Sequence, residues 1–491
     1  MTATRALFLV AAFALPARAA TVNLLVYDQK GRELGLPGLI ARLARADDKS
    51  PDPGSLPFWA FPLDKKSPPV RAELAQIDNR LTAAWPGGPA RLELVWPVKD
   101  DGYSEVSADN DDHGFADGAT VALNEEIART EYRLFKNSLE RPAASGKPPY
   151  ALGADASEFA ERAQEAMADA AREKAPAKRG AAFEDALRET SLAWRQALYE
   201  RGLQSGAVQP QSGKEPAGLT LDDSFIKRVG GAEAISKAAS RTGSNWVKLV
   251  FRQNLPDFSY ASPRSFDEYD AILAALRKRR IKVLAGLLDA ARWPKKITPE
   301  AYSERVKNIV QHCKSKVDAW EVGSEINGDW LGGADDPLSS DQVYKIYSAG
   351  AAMAKKIDPS AETVATLYWW EATAPDRGHS LSGWLGHYAP KGFGSTADVV
   401  GLDLYPEENP VGLAFERAFE TVADALPGKK TMLSGFGYVE KDALQGYWWL
   451  DPRDVNGARK DLRAYYPIEA CAMRGSVCGG FWWQAAALKT P

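Results

Sequence analysis

The stretch that decides the fold is Asp318-Ala-Trp-Glu-Val-Gly-Ser-Glu325-Ile-Asn-Gly-Asp-Trp330. It opens as a short apolar strand, Val317 to Val322, and breaks at Gly323. A carboxylate, Glu325, is left at the strand's C-terminal end beside Asn327 and two indoles, Trp320 and Trp330. In a parallel α/β barrel the C-terminal ends of strands are where chemistry is done. A glutamate delivered there among aromatic rings suits a general acid acting on sugars, because aromatic faces bind pyranose C–H surfaces and exclude water. The plainer alternative is a surface glutamate that follows a core strand.

Working outward, strand-like runs recur from about residue 217: Gly218–Leu221, Trp246–Phe251, Ile281–Leu288, Val317–Val322, Thr363–Trp369, Val399–Tyr405, Lys430–Ser434 and Gly479–Trp483. Helical segments separate them, at 232–240, 265–279, 299–313, 340–356, 380–388, 413–425 and 458–473. Eight short apolar strands alternating with helices imply a (β/α)8 TIM barrel over residues 217–491. Too few residues follow the last strand for an eighth helix. A helix over Ala182–Glu200 is therefore expected to cover the seam between strands eight and one.

The remainder divides into three parts. Residues 1–20 read as a signal peptide, with Arg5, the apolar run Ala6–Leu15 and the small-x-small site Ala17-Arg18-Ala19. The apolar run is too short to span a bilayer, so a secreted or periplasmic protein with no membrane span is expected. Residues 21–145 read as a small mixed α/β N-terminal module. Its strands are expected at Thr21–Tyr27 and Arg91–Val98, and its helices at Pro37–Ala46, Val70–Ala84 and Asn124–Leu139. Residues 146–216 read as a linker and helices packing on the barrel, including Ala156–Glu173.

Composition narrows the partners. The 491 residues carry a net charge of −4, with no basic stripe of the kind that binds nucleic acid. Fifteen Trp and seventeen Tyr suit carbohydrate contact, though large cores also use aromatics. No cofactor is implied. The four His residues lack paired spacing, which gives zinc little support. The segment Asp109 to Asp117 places oxygen donors at Asp109, Asp111 and Asp117 with Gly114 at the sixth position. That is a weak calcium-loop pattern, since Thr120 stands where a bidentate Glu belongs. A solvated acidic turn is the alternative. Of three cysteines, Cys471 and Cys478 could pair in an oxidising compartment, with Cys313 left buried; three inert thiols is the other reading.

The barrel motifs resemble those of clan A glycoside hydrolases, the retaining (β/α)8 glycosidases, over about residues 217–491. Trp320-Glu-Val-Gly-Ser-Glu325-Ile-Asn-Gly is similar to the fourth-strand motif, which makes Glu325 the implied acid/base. Val400-Gly-Leu-Asp-Leu-Tyr405-Pro resembles the sixth strand, whose Tyr contacts the nucleophile. Gly480-Phe-Trp-Trp-Gln484 resembles the eighth, implying an aromatic floor of Trp482 or Trp483. Trp246-Val-Lys-Leu-Val-Phe-Arg252 resembles the second, where Lys248 or Arg252 would steady the nucleophile.

Two departures stand out. Ser324 replaces the Asn expected before the acid/base. In Thr431-Met-Leu-Ser434-Gly435-Phe-Gly-Tyr438, Gly435 occupies the position of the nucleophilic Glu. Retaining hydrolysis needs two carboxyl groups roughly 5–5.5 Å apart, one attacking the anomeric carbon and one protonating the leaving oxygen. Glycine cannot attack. Carboxylates available as substitutes are Asp403, Glu440, Glu371, Glu407 and Asp442, with Asp403 also readable as a buried partner of Lys248. Substrate contacts are expected from Arg252, Ser324, Asn327, Trp330, Trp369, Tyr405, Tyr438, Trp482 and Trp483. Tyr368, Trp370, Trp384, Tyr447, Trp448 and Trp449 are further cleft-wall candidates, and of Trp369 and Trp370 at least one is expected to face the barrel mouth or solvent.

The expected function is a polysaccharide- or oligosaccharide-binding protein descended from a retaining glycosidase, with hydrolysis lost. The alternatives are an active glycosidase that uses Glu325 and a displaced carboxylate, and an envelope scaffold or interaction protein.

Overall fold

The computed structural model describes residues 19–44, 51–63, 69–141, 151–205, 217–241, 243, 245–252, 263–290, 293–294, 296–333, 337–406, 409–437 and 464–483. The N-terminal module comprises β1 (Ala19–Leu25), α1 (Leu36–Leu43), β2 (Phe58–Pro62), β3 (Val70–Arg71), β4 (Glu73–Ile77), β5 (Arg80–Pro86), β6 (Ala90–Val98), β7 (Gly102–Ala108), β8 (Thr120–Ala122) and α2 (Leu123–Glu140). It forms two four-stranded sheets, ordered β4-β5-β1-β8 and β3-β2-β6-β7. Most of the leader expected over residues 1–20 lies outside the described residues, and Ala19 and Ala20 already belong to β1.

The helix expected over Val70–Ala84 is instead a strand pair. Asp78 and Asn79 both take left-handed φ values, 48° and 62°, and Ile77 faces Arg80 across them. That is a two-residue hairpin turn of the kind whose twist matches its strands. Asp-Asn was the turn signal, and the alanines around it masked the alternation.

The acidic turn holds no open cation site. Arg133 stands among its carboxylates, bonding Asp109 and Asp112 and lying 3.9 Å from Asp111, while Asp117 accepts from the Thr21 amide at 3.0 Å. A guanidinium already supplies the positive charge that calcium would bring, which favours the alternative of a solvated acidic turn.

Two long helices follow, α3 (Ala154–Arg172) and α4 (Pro176–Gln204), and then the barrel. Its strands are β9 (Ala217–Leu221), β10 (Trp246–Val250), β11 (Lys282–Gly286), β12 (Ala319–Gly323), β13 (Glu362–Tyr368), β14 (Val399–Leu404), β15 (Lys430–Phe436) and β16 (Ser476–Trp482). All pairings are parallel, and β16 closes onto β9. The ring is a closed (β/α)8 barrel at every one of the eight expected places. Outside it lie α5 (Asp223–Val229), α6 (Ala232–Arg241), α7 (Phe266–Lys278), α8 (Pro299–Cys313), α9 (Ser340–Ile357), α10 (Leu381–Tyr388), α11 (Phe393–Thr396), α12 (Phe415–Ala425) and a helix over 464–471.

Capping explains several starts. Ser265 and Ser339 each form a reciprocal capping box, with Glu268 and Gln342, at the heads of α7 and α9.

The barrel interior is layered. An apolar plug of Leu284, Ala319, Val364, Val399, Met432 and Phe481 closes the lower end, with Trp246 packed against it. One pleat higher on the same strand faces come Lys248, Glu321, Thr366 and Ser434. Polar side chains there sit on a dry floor and below the mouth, which is what concentrates electrostatic effects in the layer above.

The N-terminal module rests on this mouth side. Trp59 donates to the Ala372 carbonyl at 2.8 Å, and Glu105 accepts from the Ala372 amide at 2.8 Å. Arg71 reaches the Ala374 carbonyl at 3.2 Å, and the Leu413 amide donates to Ser104 at 2.6 Å. These partners belong to the loops after the fifth and sixth strands, so the module walls one side of the barrel's chemical face.

The expected seam cover is displaced. Trp194 and Arg201 of α4 bond Glu416 of α12, and a Cβ at Gly202 would stand 1.9 Å from the Ile468 carbonyl oxygen. Just past its C-terminal end, Ser205 meets Cys478 of the eighth strand. The helix thus lies beside the seam, drawn there by the buried Glu416 that it neutralises.

Candidate functional site

Lys248 and Glu321 form the base of the site. Their charged atoms are 2.6 Å apart and both side chains are buried. Glu321 also accepts from Thr366 at 2.7 Å and from Ser434 at 3.1 Å. Burial works against the Lys248 charge, but Glu321 and Asp403 more than compensate and raise its pKa. Sequence reasoning weighed Lys248 and passed over Glu321. Its signal was a carboxylate inside an apolar strand, on the face opposite Trp320.

Above this pair, Asp403 and Glu325 meet. Asp403 is 2% exposed, comes from the end of β14, and shares a hydrogen bond with Glu325 at the end of β12. Burial, with Glu321 adding to it, pushes the Asp403 carboxyl up to about 6 against the pull of Lys248. Its Oδ1 has no hydrogen-bond partner among the described residues. Glu325 is half-buried and holds a left-handed backbone, φ 48°. A non-glycine residue at that φ costs energy and tends to be kept where a side chain must be aimed. Two carboxyls in hydrogen-bond contact must hold at least one proton between them.

Gly435 completes the geometry. β15 bulges at Ser434, so Gly435 faces Asp403 in the strand register. A Cβ built on Gly435 would lie 2.7 Å from Asp403 Oδ1 and 2.8 Å from the Tyr405 hydroxyl. The volume a side chain at 435 would enter is therefore filled by the neighbouring strand's carboxylate and phenol.

The other expected site residues scatter. Tyr405 is in place, half-buried and stacked on Tyr368. Ser324 is buried beside Glu325. Arg252 pairs with Asp223 at 3.2 Å and Asp289 at 3.5 Å, just beyond the ends of the first and third strands, and Lys248 is the basic residue that acts on Asp403.

Asn327 uses its amide on backbone, donating to the Tyr368 and His379 carbonyls and accepting from the Tyr368 amide at 2.6 Å. It ties the fourth-strand loop to the fifth strand. Trp330 packs edge-on to Tyr368 and against Trp370.

Trp369 and Trp370 are both buried, contrary to the expectation that one faces the mouth or solvent. Trp370 bonds the His379 carbonyl, and the N-terminal module covers the loop that follows. Trp384 is buried against Tyr388 and Phe393, and Trp482 against Phe436. Trp483 is half-buried at the end of the eighth strand. Glu371 is held by Ser382 at 2.8 Å, with Glu93 and Arg91 of the module near it. Tyr438, Glu440, Asp442, Tyr447, Trp448, Trp449 and Glu407 lie outside the described residues.

One cluster brings metal-type donors together among the described residues, Asp270, His312 and Cys313. Its carboxylate is already answered by Lys316 at 2.5 Å and His312 at 2.9 Å. No helix among the described residues is long and apolar enough to cross a membrane.

The chain is similar in structure to the GH53 catalytic domain from Ignisphaera aggregans, at 17% identity over 57% of this chain and 87% of that one, TM-score 0.41. It is also similar to the intracellular xylanase TsXylA from Thermoanaerobacterium saccharolyticum, at 15% identity over 57% and 90%, TM-score 0.38. A third is xylanase 10B from Thermotoga petrophila, at 13% identity over 58% and 84%, TM-score 0.39. These likenesses concern the fold alone, a (β/α)8 barrel. No family model and no curated protein matches the sequence. The reading of the site therefore stands on this chain's own residues.

Proposed function

We propose that this is an exported glycoside hydrolase-like protein that binds a polysaccharide or oligosaccharide at the barrel mouth and has lost retaining hydrolysis. The observation that carries the reading is the closed space at Gly435, filled by Asp403 and Tyr405. Retaining cleavage requires an anomeric carbon between two carboxyls roughly 5–5.5 Å apart. Asp403 and Glu325 touch, so a sugar ring does not fit between them. An inverting reaction needs a base roughly 6.5–9.5 Å away with a water beside it. Glu371, the described candidate for that base, is bound to Ser382.

A second reading has one specific observation in its favour. Asp403 is a buried carboxyl with a raised pKa and an unpartnered oxygen, the profile of a working acid or base. It would then be the displaced carboxylate of an active glycosidase, with Glu325 as acid, once substrate separates the pair.

The experiment compares wild type, Glu325→Gln and the double variant Gly435→Glu/Asp403→Ala on chromogenic β-glycosides and polysaccharides. The second change in the double variant removes the atom a new side chain would strike. Equal background from wild type and Glu325→Gln, with cleavage gained by the double variant, is the expected outcome. Wild-type hydrolysis that disappears in Glu325→Gln would establish the second reading instead. Affinity electrophoresis in glycan gels reads binding separately. Wild type unretarded on every glycan would leave the scaffold role.

A further inference from the structure

The three cysteines fall into two environments. Cys313 is fully buried on α8, and burial pushes its thiol up to about 12. Cys471 and Cys478 lie elsewhere and together: Cys471 closes the helix over 464–471 and donates its thiol to the Pro467 carbonyl at 3.2 Å, Cys478 sits in β16, and the two thiols interact.

The backbone between them is shaped to make that contact. Against β15, Thr431 pairs with Ser476 and Leu433 with Gly480, so three residues of β16 stand where its partner has one. This bulge holds Cys478 at φ 58° and Gly479 at φ 77°. Bulges re-aim side chains, and a non-glycine residue in the left-handed region is held there by its surroundings. Here Cys478 is fixed by its amide donating to Ser476 Oγ at 3.0 Å. Cys471 holds this thiol lower than an ordinary cysteine, against the effect of burial, with a smaller contribution from Ser205 at the end of α4. Cys478 is half-buried and Cys471 is 5% exposed.

We propose that Cys471 and Cys478 are a disulfide-forming pair that clips the last barrel helix to the eighth strand. The chemistry is thiol–disulfide exchange with a small-molecule disulfide such as oxidised glutathione. The Cys478 thiolate attacks one glutathione sulfur, forming a mixed disulfide and expelling a glutathione thiolate. Cys471 then gives up its proton and attacks the Cys478 sulfur, expelling the second thiolate. Two protein thiols and one glutathione disulfide become one protein disulfide and two glutathione thiols. Cys478 is the attacking thiol because it is the more exposed of the two, and reactivity follows access. The buried Cys471 is the resolving partner. The bridge would hold together three elements that meet at one point: the closing strand, the helix before it and the end of α4.

The test treats the native full-length protein with oxidised glutathione, unfolds it, alkylates free thiols and digests with trypsin. Arg474 lies between the two cysteines, so their peptides stay together only if bridged. The expected result is alkylation of Cys313 alone, a linked peptide lighter by two hydrogens than its reduced parts, and full labelling of all three after dithiothreitol. In Cys471→Ser the resolving thiol is gone, and Cys478 should accumulate as a glutathione adduct. In Cys313→Ser the bridge should form unchanged. Three free thiols after oxidation would overturn the proposal. So would a wild-type adduct on Cys478 that never resolves, or a bridge that includes Cys313.

Discussion

Two regions of this protein bury carboxylates beside a lone cation, and they treat them differently. Between the N-terminal module and the barrel, Arg417 of α12 holds Glu131 with two bonds, at 2.8 and 3.0 Å, and donates to the Glu105 carbonyl at 3.0 Å. Glu131 also accepts from the Ser107 amide at 2.7 Å. Inside the barrel, Lys248 is similarly spent on Glu321, which has two hydroxyl donors besides. One layer higher, Asp403 keeps an oxygen with no partner among the described residues and presses against Glu325. At the interface both Glu131 oxygens are bonded, whereas at the mouth Asp403 has one that finds no partner among the described residues. Buried polar groups that stay incompletely satisfied are what a fold tolerates where a site needs them.

The comparison predicts its largest effect at the interface. Arg417→Ala leaves Glu131, with no exposed surface, without its counter-charge. Breaking a buried pair from one side costs about 3–5 kcal/mol. Urea unfolding should register that loss, and Lys248→Met should lose less because Thr366 and Ser434 still donate to Glu321. An Arg417→Ala midpoint equal to wild type would mean the interface is not the tie described here.

The next effect is in pH. Glu469, on the helix over 464–471, lines a small pocket with Asp101, Ser191 and Arg195 where the module, α4 and the barrel meet. Burial raises its pKa to about 7, with Arg195 pulling it back. The folded protein therefore keeps a proton that the unfolded chain has released, from near the ordinary carboxylate pKa up to about 7. Stability should fall as pH rises through that window and level off above it. The size for this group is roughly 3 kcal/mol. Asp403, raised to about 6, acts in the same direction over a lower window. Unfolding free energies at pH 5 and pH 8 should differ less in Glu469→Gln than in wild type, with the remaining slope due partly to Asp403. A slope unchanged by the substitution would show that Glu469 ionises normally.

How much of this was legible in the sequence depends on which property the residues report. The eight barrel strands were, because each is a short apolar run between helices with their own periodicity and caps. The place of Glu325 followed from the break at Gly323. The hairpin at Asp78-Asn79 was hidden because its flanking alanines suit a helix as well as a strand. The burial of Trp369 and Trp370 depends on a module docking from more than 260 residues away in sequence, as the Trp59 to Ala372 and Glu105 to Ala372 bonds show. No local pattern reports such a contact. Gly435 is the most instructive case. Strict alternation would turn it away from the interior if Ser434 points in, and only the bulge lets both residues face the barrel axis.

That bulge supplies the smallest and sharpest test. Gly435→Ala puts a methyl 2.7 Å from Asp403 Oδ1, closer than real side chains approach, with the Tyr405 hydroxyl at 2.8 Å on another side. Inserting one carbon into a packed interior typically costs about 1–3 kcal/mol. If the cost comes from Asp403, then Asp403→Gly should relieve it, and the double variant should be more stable than the sum of its single changes by about 1–2 kcal/mol. A backbone cause predicts something else, because the strain of the bulge would survive removal of the aspartate and the two substitutions would simply add. Coupling in the double-mutant cycle therefore decides whether the vacant position on the seventh strand and the buried acid on the sixth are one site.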